Sequence, residues 1–428
     1  MADHIETVRI EKLVHGGQGL ATLEQGQKIF VWNALPGELV RARVFSKKRS
    51  FAEAIATEII EPSPERIEPE EQNYLATSPW QIIQFEQEGR YKQQITEGLF
   101  AHEHVALPKN AVQLATQPAD MMHFFHYRNK MEYSFWGDET GLHLALHNRG
   151  SHQKTIVDGS ALALPAIDRA AHALLDELQK LRPRAGDLKT MIIRCDQAGH
   201  AVISLFVKLE KFTRLHLPDS VQGLRIYHSN PKSPASVPTK LLYELGDVRL
   251  HDSLLGKQFT YDADSFFQVN LPVFELALAR IKAFCQDDDV TDMYAGVGTI
   301  GLSVAGKRVN LIEFDAATIA MARVNVAASG LEAQVVEESA ETEPNKYIYC
   351  DGGTLIFDPP RAGLHKKVVE AVEAIQPVKI IYLSCNPSTQ ARDLALLQDL
   401  YAIEYLEVFN FFPRTPHIES LAVLRLKQ

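Results

Sequence analysis

The chain has 428 residues, a formal net charge of −10, 46% hydrophobic residues and 23% charged residues. At roughly 100–200 residues per domain, this length predicts two or three domains, each able to bury its own core. The composition is that of an ordinary soluble globular protein, and no apolar run approaches the roughly 20 residues needed to cross a bilayer.

The opening MADHIETVRIEKL has no basic segment followed by an apolar core, so no secretory signal is expected and the cytosol is the default location. Residues 1–61 read as a small all-β unit. Short β-rich stretches are broken by Gly-Gly, Gly-Gln and Pro-Gly turns, the pattern of a five-stranded OB-type barrel. The acidic balance argues mildly against nucleic acid, yet RARVFSKKR (41–49) gathers Arg41, Arg43, Lys47, Lys48 and Arg49, either an RNA contact or a solvated loop. EPSPERIEPEEQ (61–72) reads as an acidic, proline-rich linker. Residues 62–256 read as an α+β domain with an antiparallel sheet: helical periodicity over 80–100, strands around YRNKMEYSFW, GLHLALHNRG, TMIIRCD and HAVISLFVKL, and a helix over 166–181 entered after Pro165. Residues 257–428 alternate strands with helices, which implies an α/β fold with a doubly wound parallel sheet whose ligands bind beyond the carboxyl ends of the strands.

Those strand ends carry the unusual residues. DVTDMYAGVGTIGL (289–302) runs a strand into Gly296-x-Gly298-x-x-Gly301 and then a helix. The next strand ends in Glu313, a carboxylate able to accept both ribose hydroxyls of an adenosine, in dinucleotide enzymes and methyl-donor enzymes alike. In LIFDPPRAGL (355–364) two prolines hold Asp358 rigid at the crevice. KIIYLSCNPSTQARDL (379–394) puts Cys385 at a strand end before a helix N-terminus, a setting that lowers a thiol's pKa and marks a candidate nucleophile. FFPRTPHIESLAVLRL (411–426) puts Glu419 just before an apolar strand, with His417 two positions earlier. The four cysteines, Cys195, Cys285, Cys350 and Cys385, are far apart with no Cys-x-x-Cys pair, so neither a metal site nor a disulfide framework is expected.

In this order, DSFFQVN, DMYAGVGTIGL, DPPRAGL, SCNPST and PRTPHIES resemble the RNA 5-methyluridine methyltransferases over nearly the whole chain. The resemblance implies an N-terminal TRAM barrel, an α+β central domain and a C-terminal Rossmann-like class I methyltransferase domain. It implies S-adenosylmethionine as cofactor, with Gln268, Tyr294, Gly296, Gly298, Thr299, Glu313 and Asp358 around it. Cys385 would add to carbon 6 of a uracil, which makes carbon 5 nucleophilic, and Glu419 would remove the carbon 5 proton. Asp358 would also hold the uracil edge, Phe266 would stack on a base, and Arg128 and Lys130 would contact RNA.

Many members of that family hold an iron–sulfur cluster on three cysteines before the helix and one in the central domain. Here 73–87 and 156–165 contain no cysteine, so no cluster is expected. Ala295 stands where the family often has cysteine. The expected substrate is RNA, ribosomal in preference to transfer RNA, and the expected protein a cytoplasmic monomer without membrane contact. Two other classes remain. One is an exocyclic-amine methyltransferase, which would place an aromatic where Arg361 follows the prolines. The other is a non-catalytic RNA-binding protein, which would have no use for Cys385, Asp358 and Glu419 together.

Overall fold

The computed structural model describes residues 4–107, 111–115, 124–149, 153–233, 236–285, 289–349 and 353–428. Cys350 lies outside the described residues.

The N-terminal sheet has six strands rather than the expected five, in the order Ile5–Arg9, Leu39–Lys47, Phe51–Glu61, Lys28–Trp32, Gly19–Thr22, Lys12–Leu13. The extra strand comes from a break in the first one. Ile10 N donates to Glu38 O and Glu11 N to Leu20 O, so the chain changes partner there and closes the sheet on itself. Alternate residues such as Ile29, Val31, Val40, Ala42, Ala52 and Ala54 fill the interior.

A seven-stranded sheet follows, from Lys154–Ile156 at one edge through Gly141–His147, Lys130–Asp138, Leu188–Cys195, Ala201–Val207 and Gly223–His228 to Lys240–Gly246. It departs from the expected antiparallel sheet at one place, where Ala201–Val207 and Gly223–His228 pair in parallel. Helix Pro165–Leu181 covers one face. Pro165 suits its first turn, where an amide donor would go unpaired. Ile167, Ala170, Ala171, Leu174 and Leu178 recur at helical spacing and are buried.

The third sheet has eight strands. Glu332–Glu337, Arg308–Glu313, Val290–Met293, Thr354–Phe357 and Lys379–Ser384 run parallel. Glu419–Leu426 is antiparallel to Lys379–Ser384 and to Tyr401–Phe409, so the sheet is mixed rather than wholly parallel. Its inner strands Val290–Met293, Thr354–Phe357 and Lys379–Ser384 are buried on both faces. Ile380 and Tyr382 belong to one core, and Ile381 and Leu383 to the other. This two-sided burial explains their continuous apolar runs. Strand Val112–Leu114 extends this sheet at the Tyr401–Phe409 edge. Helix Phe85–His102 packs beside it, with Ile95 and Phe100 in the same core as Leu394, Leu397 and Leu406. Sequence periodicity had put that helix over 80–100 and grouped it with the central sheet.

Candidate active site

The carboxyl ends of the parallel strands lie together along one edge of the sheet. After Met293 the backbone turns through left-handed conformations at Tyr294 (φ 83°), Gly296 (φ 57°) and Gly298 (φ 88°), then enters helix Thr299–Val304. Gly298 and Gly301 are required by contact: a Cβ on either would stand 2.8 Å from a Leu311 methyl carbon. Glu313 closes this turn. Its carboxylate accepts from Gly296 N at 2.9 Å, Phe314 N at 2.8 Å and Asp315 N at 3.0 Å. Oε1 takes the last two of these bonds and Oε2 the first, so Oε2 keeps a further lone pair for a hydroxyl. Phe314 beside it is 70% exposed, an apolar face at the mouth of the turn. Beneath the turn Asp292, 1% exposed, accepts from Gly301 N at 2.8 Å, and its other oxygen has no partner among the described residues.

The catalytic candidates meet by strand register. Ser384 pairs with Ser420 in the antiparallel ladder. Cys385 follows strand Lys379–Ser384 and Glu419 begins its partner, and the Glu419 charge is felt at the Cys385 thiol, so the two lie close together. Glu419 is the first residue of its strand rather than the one before it. It is 1% exposed, and Oε1 has no hydrogen-bond partner among the described residues. Burial and the Asp358 charge hold its carboxyl well above the usual range. Asp358 follows Phe357 on the neighbouring strand, and burial with the Asp292 charge pushes it up to about 7.

The Cys385 thiol departs from expectation. Asn386 caps helix Pro387–Leu397 with its own side chain, at Ser388 N. Burial, then the charges of Glu419 and Asp358, pushes the thiol up to about 12. The helix N-terminus is outweighed by desolvation and two carboxylates. The opposing group is Arg361, which acts on the thiol by charge and by a hydrogen bond. Its Nη2 also lies 3.3 Å from His417 Nδ1. His417 is pushed down to about 3 by burial and then by Arg361, so its ring is neutral and can accept from the guanidinium. Sequence reasoning used Arg361 only to exclude a rival; the signal for it was a cation directly after the two prolines.

The remaining candidates fall on two segments. The loop between Asp262 and Leu271 carries Phe266, 67% exposed, and Gln268, 8% exposed. Phe267 between them stacks on Tyr261 at 3.9 Å, which turns Phe266 outward. Asn129 Nδ2 holds Gln268 O at 3.0 Å, and Arg194 Nη1 holds Phe267 O at 3.1 Å. Arg128 is half-buried with its charge felt at His417, hence near the crevice. Lys130 is also half-buried, and burial lowers it to about 8. Thr299 opens the short helix and is half-buried. Cys195 and Cys285 are buried core residues.

The 73–87 segment does not fit an iron–sulfur cluster. It has no thiol, its Trp80 is 1% exposed, and Gln81 Nε2 donates to Ser78 Oγ at 2.7 Å and to Glu71 Oε2 at 2.8 Å.

A glycine turn, a strand-end acid and a mixed sheet of this order define a class I methyltransferase fold. The family model for tRNA (uracil-5-)-methyltransferases matches residues 103–346 and 346–427, and that for the TRAM domain matches 4–57. The chain belongs to the uracil-5 methyltransferase family and carries an N-terminal TRAM domain. It is 26% identical to an uncharacterized RNA methyltransferase of Thermotoga maritima, over 98% of this chain and 99% of that one. A Lactiplantibacillus plantarum protein of the same description is 29% identical, over 98% and 97%. The fold matches the crystal structure of Pyrococcus abyssi tRNA (uracil-54, C5)-methyltransferase in complex with S-adenosyl-L-homocysteine, with a TM-score of 0.74 and 22% identity, over 98% of this chain and 100% of that one.

Proposed function

We propose that this protein methylates carbon 5 of a uridine in RNA, with Cys385 as covalent nucleophile and Glu419 as the base. The observation that carries the reading is that Cys385 directly follows the strand paired with the one that Glu419 begins, with Glu419 buried, its Oε1 without a partner among the described residues, and Asp358 at the end of the adjoining strand. S-adenosylmethionine fits the glycine turn: Glu313 would hold the ribose, Phe314 would cover the adenine, and Tyr294, Thr299 and Gln268 line the approach. When bound, it supplies an electrophilic methyl group.

Cys385 gives up its thiol proton to solvent and its sulfur bonds to carbon 6 of the uracil; the ring electrons pass to carbon 5, which takes the methyl group as the donor's methyl–sulfur bond breaks and leaves S-adenosylhomocysteine. Glu419 removes the carbon 5 proton; the double bond re-forms and expels the Cys385 thiolate. Arg361 offsets the negative charge at sulfur in both directions. Asp358 faces the uracil edge, and Phe266 stacks on a base of an RNA whose uridine has left its stack. Arg128 and Lys130 contact the RNA backbone.

The TRAM domain favours ribosomal RNA as substrate. A transfer RNA is the second reading, supported by the P. abyssi enzyme, which aligns over its full length. We divide the chain into a barrel (1–61), a central RNA-binding domain (62–256) and a methyltransferase domain (257–428), acting as a cytoplasmic monomer.

RNA containing 5-fluorouridine tests the chemistry, because fluorine cannot leave as a proton. Wild type is expected to form a covalent adduct that survives denaturation, and Cys385→Ala none. Glu419→Gln is expected to accumulate methylated adduct on ordinary RNA. Adduct formed by Cys385→Ala overturns the nucleophile, and normal turnover by Glu419→Gln overturns the base. Mapping 5-methyluridine in cells with and without the gene decides between the two RNAs.

A further inference from the structure

Helix Phe85–His102 carries an ion pair that surface chemistry does not need. Glu88 and Lys92 are both 0% exposed, one helical turn apart, with Oε1 3.1 Å from Nζ. Burying two charges costs more than an exposed pair returns, so such a pair is kept for the geometry it enforces. Here that geometry belongs to another part of the chain. Lys92 Nζ donates to Asn410 Oδ1 at 2.6 Å and to Phe412 O at 3.1 Å. The Glu88 carboxylate accepts from Asn410 Nδ2 at 3.1 Å and from Arg414 N at 3.0 Å.

The segment so held joins strand Tyr401–Phe409 to strand Glu419–Leu426, and so leads into His417 and Glu419. Further donors fix the rest of its backbone. Tyr127 hydroxyl donates to Pro413 O at 3.0 Å, Asn270 Nδ2 to Phe411 O at 3.0 Å, and Trp80 N to Arg414 O at 3.1 Å. Arg414 is held left-handed at φ 63°, a conformation that needs such external support. Hydrogen bonds from several elements onto one segment favour one arrangement of it over neighbouring ones, although Arg414 Nε has no partner among the described residues.

We propose that Glu88 and Lys92 are positioning residues that set Glu419 against Cys385, so that helix Phe85–His102 governs proton removal from carbon 5. They touch neither RNA nor cofactor in this role; they act through the 410–419 connection. The inference rests on the reading of Glu419 as the base.

The test separates attack by the thiol from the later proton removal. Glu88→Gln and the charge-neutral pair Glu88→Gln/Lys92→Met are assayed on two RNAs, one with uridine and one with 5-fluorouridine at the target. Adduct formation on fluorinated RNA is expected within about threefold of wild type. Turnover on ordinary RNA should fall on the order of 100-fold, the scale of an ångström's misplacement of a catalytic group, with methylated adduct accumulating. A parallel fall in both assays by folded protein overturns the proposal, as does unchanged turnover. If neither variant folds, Tyr127→Phe, which deletes only the bond to Pro413, is read by the same ratio. Glu419→Gln run beside them separates the two failures. Normal turnover by Glu419→Gln removes the base itself; a defect there with normal Glu88 variants removes only the clamp.

Discussion

Cys385 rests as a thiol. Its environment pushes it up to about 12, with burial first, then Glu419 and Asp358, and only Arg361 opposing. Below its pKa the thiolate fraction grows about tenfold per pH unit. Alkylation of Cys385 by iodoacetamide in the free protein, followed by peptide mass spectrometry, should therefore rise through pH 7 to 10 without a plateau. A plateau below pH 9 would show that a helix terminus or cation outweighs the carboxylates after all. The signs at the neighbours follow from their charges. Arg361→Ala removes the group that lowers the pKa, so alkylation should slow at every pH in that window. Glu419→Gln removes a group that raises it, so alkylation should quicken at alkaline pH. Under the proposed mechanism, a neutral uracil against the site would leave these charges in place, with Arg361 offsetting the charge on the departing sulfur.

Two glycines of the strand–helix turn serve different ends. Gly296 is left-handed (φ 57°) and a Cβ there meets nothing within 4 Å, whereas at Gly298 (φ 88°) a Cβ meets Leu311 and Leu302 at 2.8 and 2.9 Å. Gly296→Ala should thus cost about 1 kcal/mol of backbone strain and act mainly on ligand approach. Gly298→Ala adds a clash with packed leucines and should cost about 2–4 kcal/mol. Thermal denaturation should rank Gly298→Ala well below Gly296→Ala, while calorimetry with S-adenosylhomocysteine should find Gly296→Ala already weakened. Equal melting temperatures would contradict the assignment. This turn was legible in the sequence because its signals are local: glycines, an apolar run, a strand-end acid. Strand Lys379–Ser384 was legible because all six residues are buried and apolar residues dominate it. The clamp was not. Lys92 and Asn410 lie 318 residues apart, and nothing in either neighbourhood names the other. The thiol's pKa was misjudged for the same reason: the helix N-terminus is local to Cys385, but Glu419 and Asp358 arrive through strand register.

One turn of the barrel, Val14–Gln18, meets the connection that leads into the Glu419 strand. Gly17 O accepts from Trp80 Nε1 at 3.1 Å, and Gly17 itself lies against Pro416, where a Cβ would come within 2.4 Å. Pro416 immediately precedes His417, and Trp80 N holds Arg414 O, so the barrel turn presses on the same connection that Glu88 and Lys92 hold from within. Arg361 also depresses the pKa of His15 in this turn, after burial, which brings the barrel to the rim of the crevice. Gly17→Ala must move either the barrel or Pro416. Gly16→Ala is its control, since Gly16 has nearly the same φ, 95° against 96°, and open space around it. Both variants carry the strain of a left-handed alanine; only Gly17→Ala carries the displacement. Turnover on RNA should fall at least about tenfold for Gly17→Ala and stay near wild type for Gly16→Ala, with S-adenosylhomocysteine affinity unchanged in both. Equal turnover by the two variants would mean that the barrel tethers RNA without bearing on the catalytic connection. A loss confined to Gly17→Ala, with cofactor binding intact, ties substrate capture by the barrel to the placement of the base.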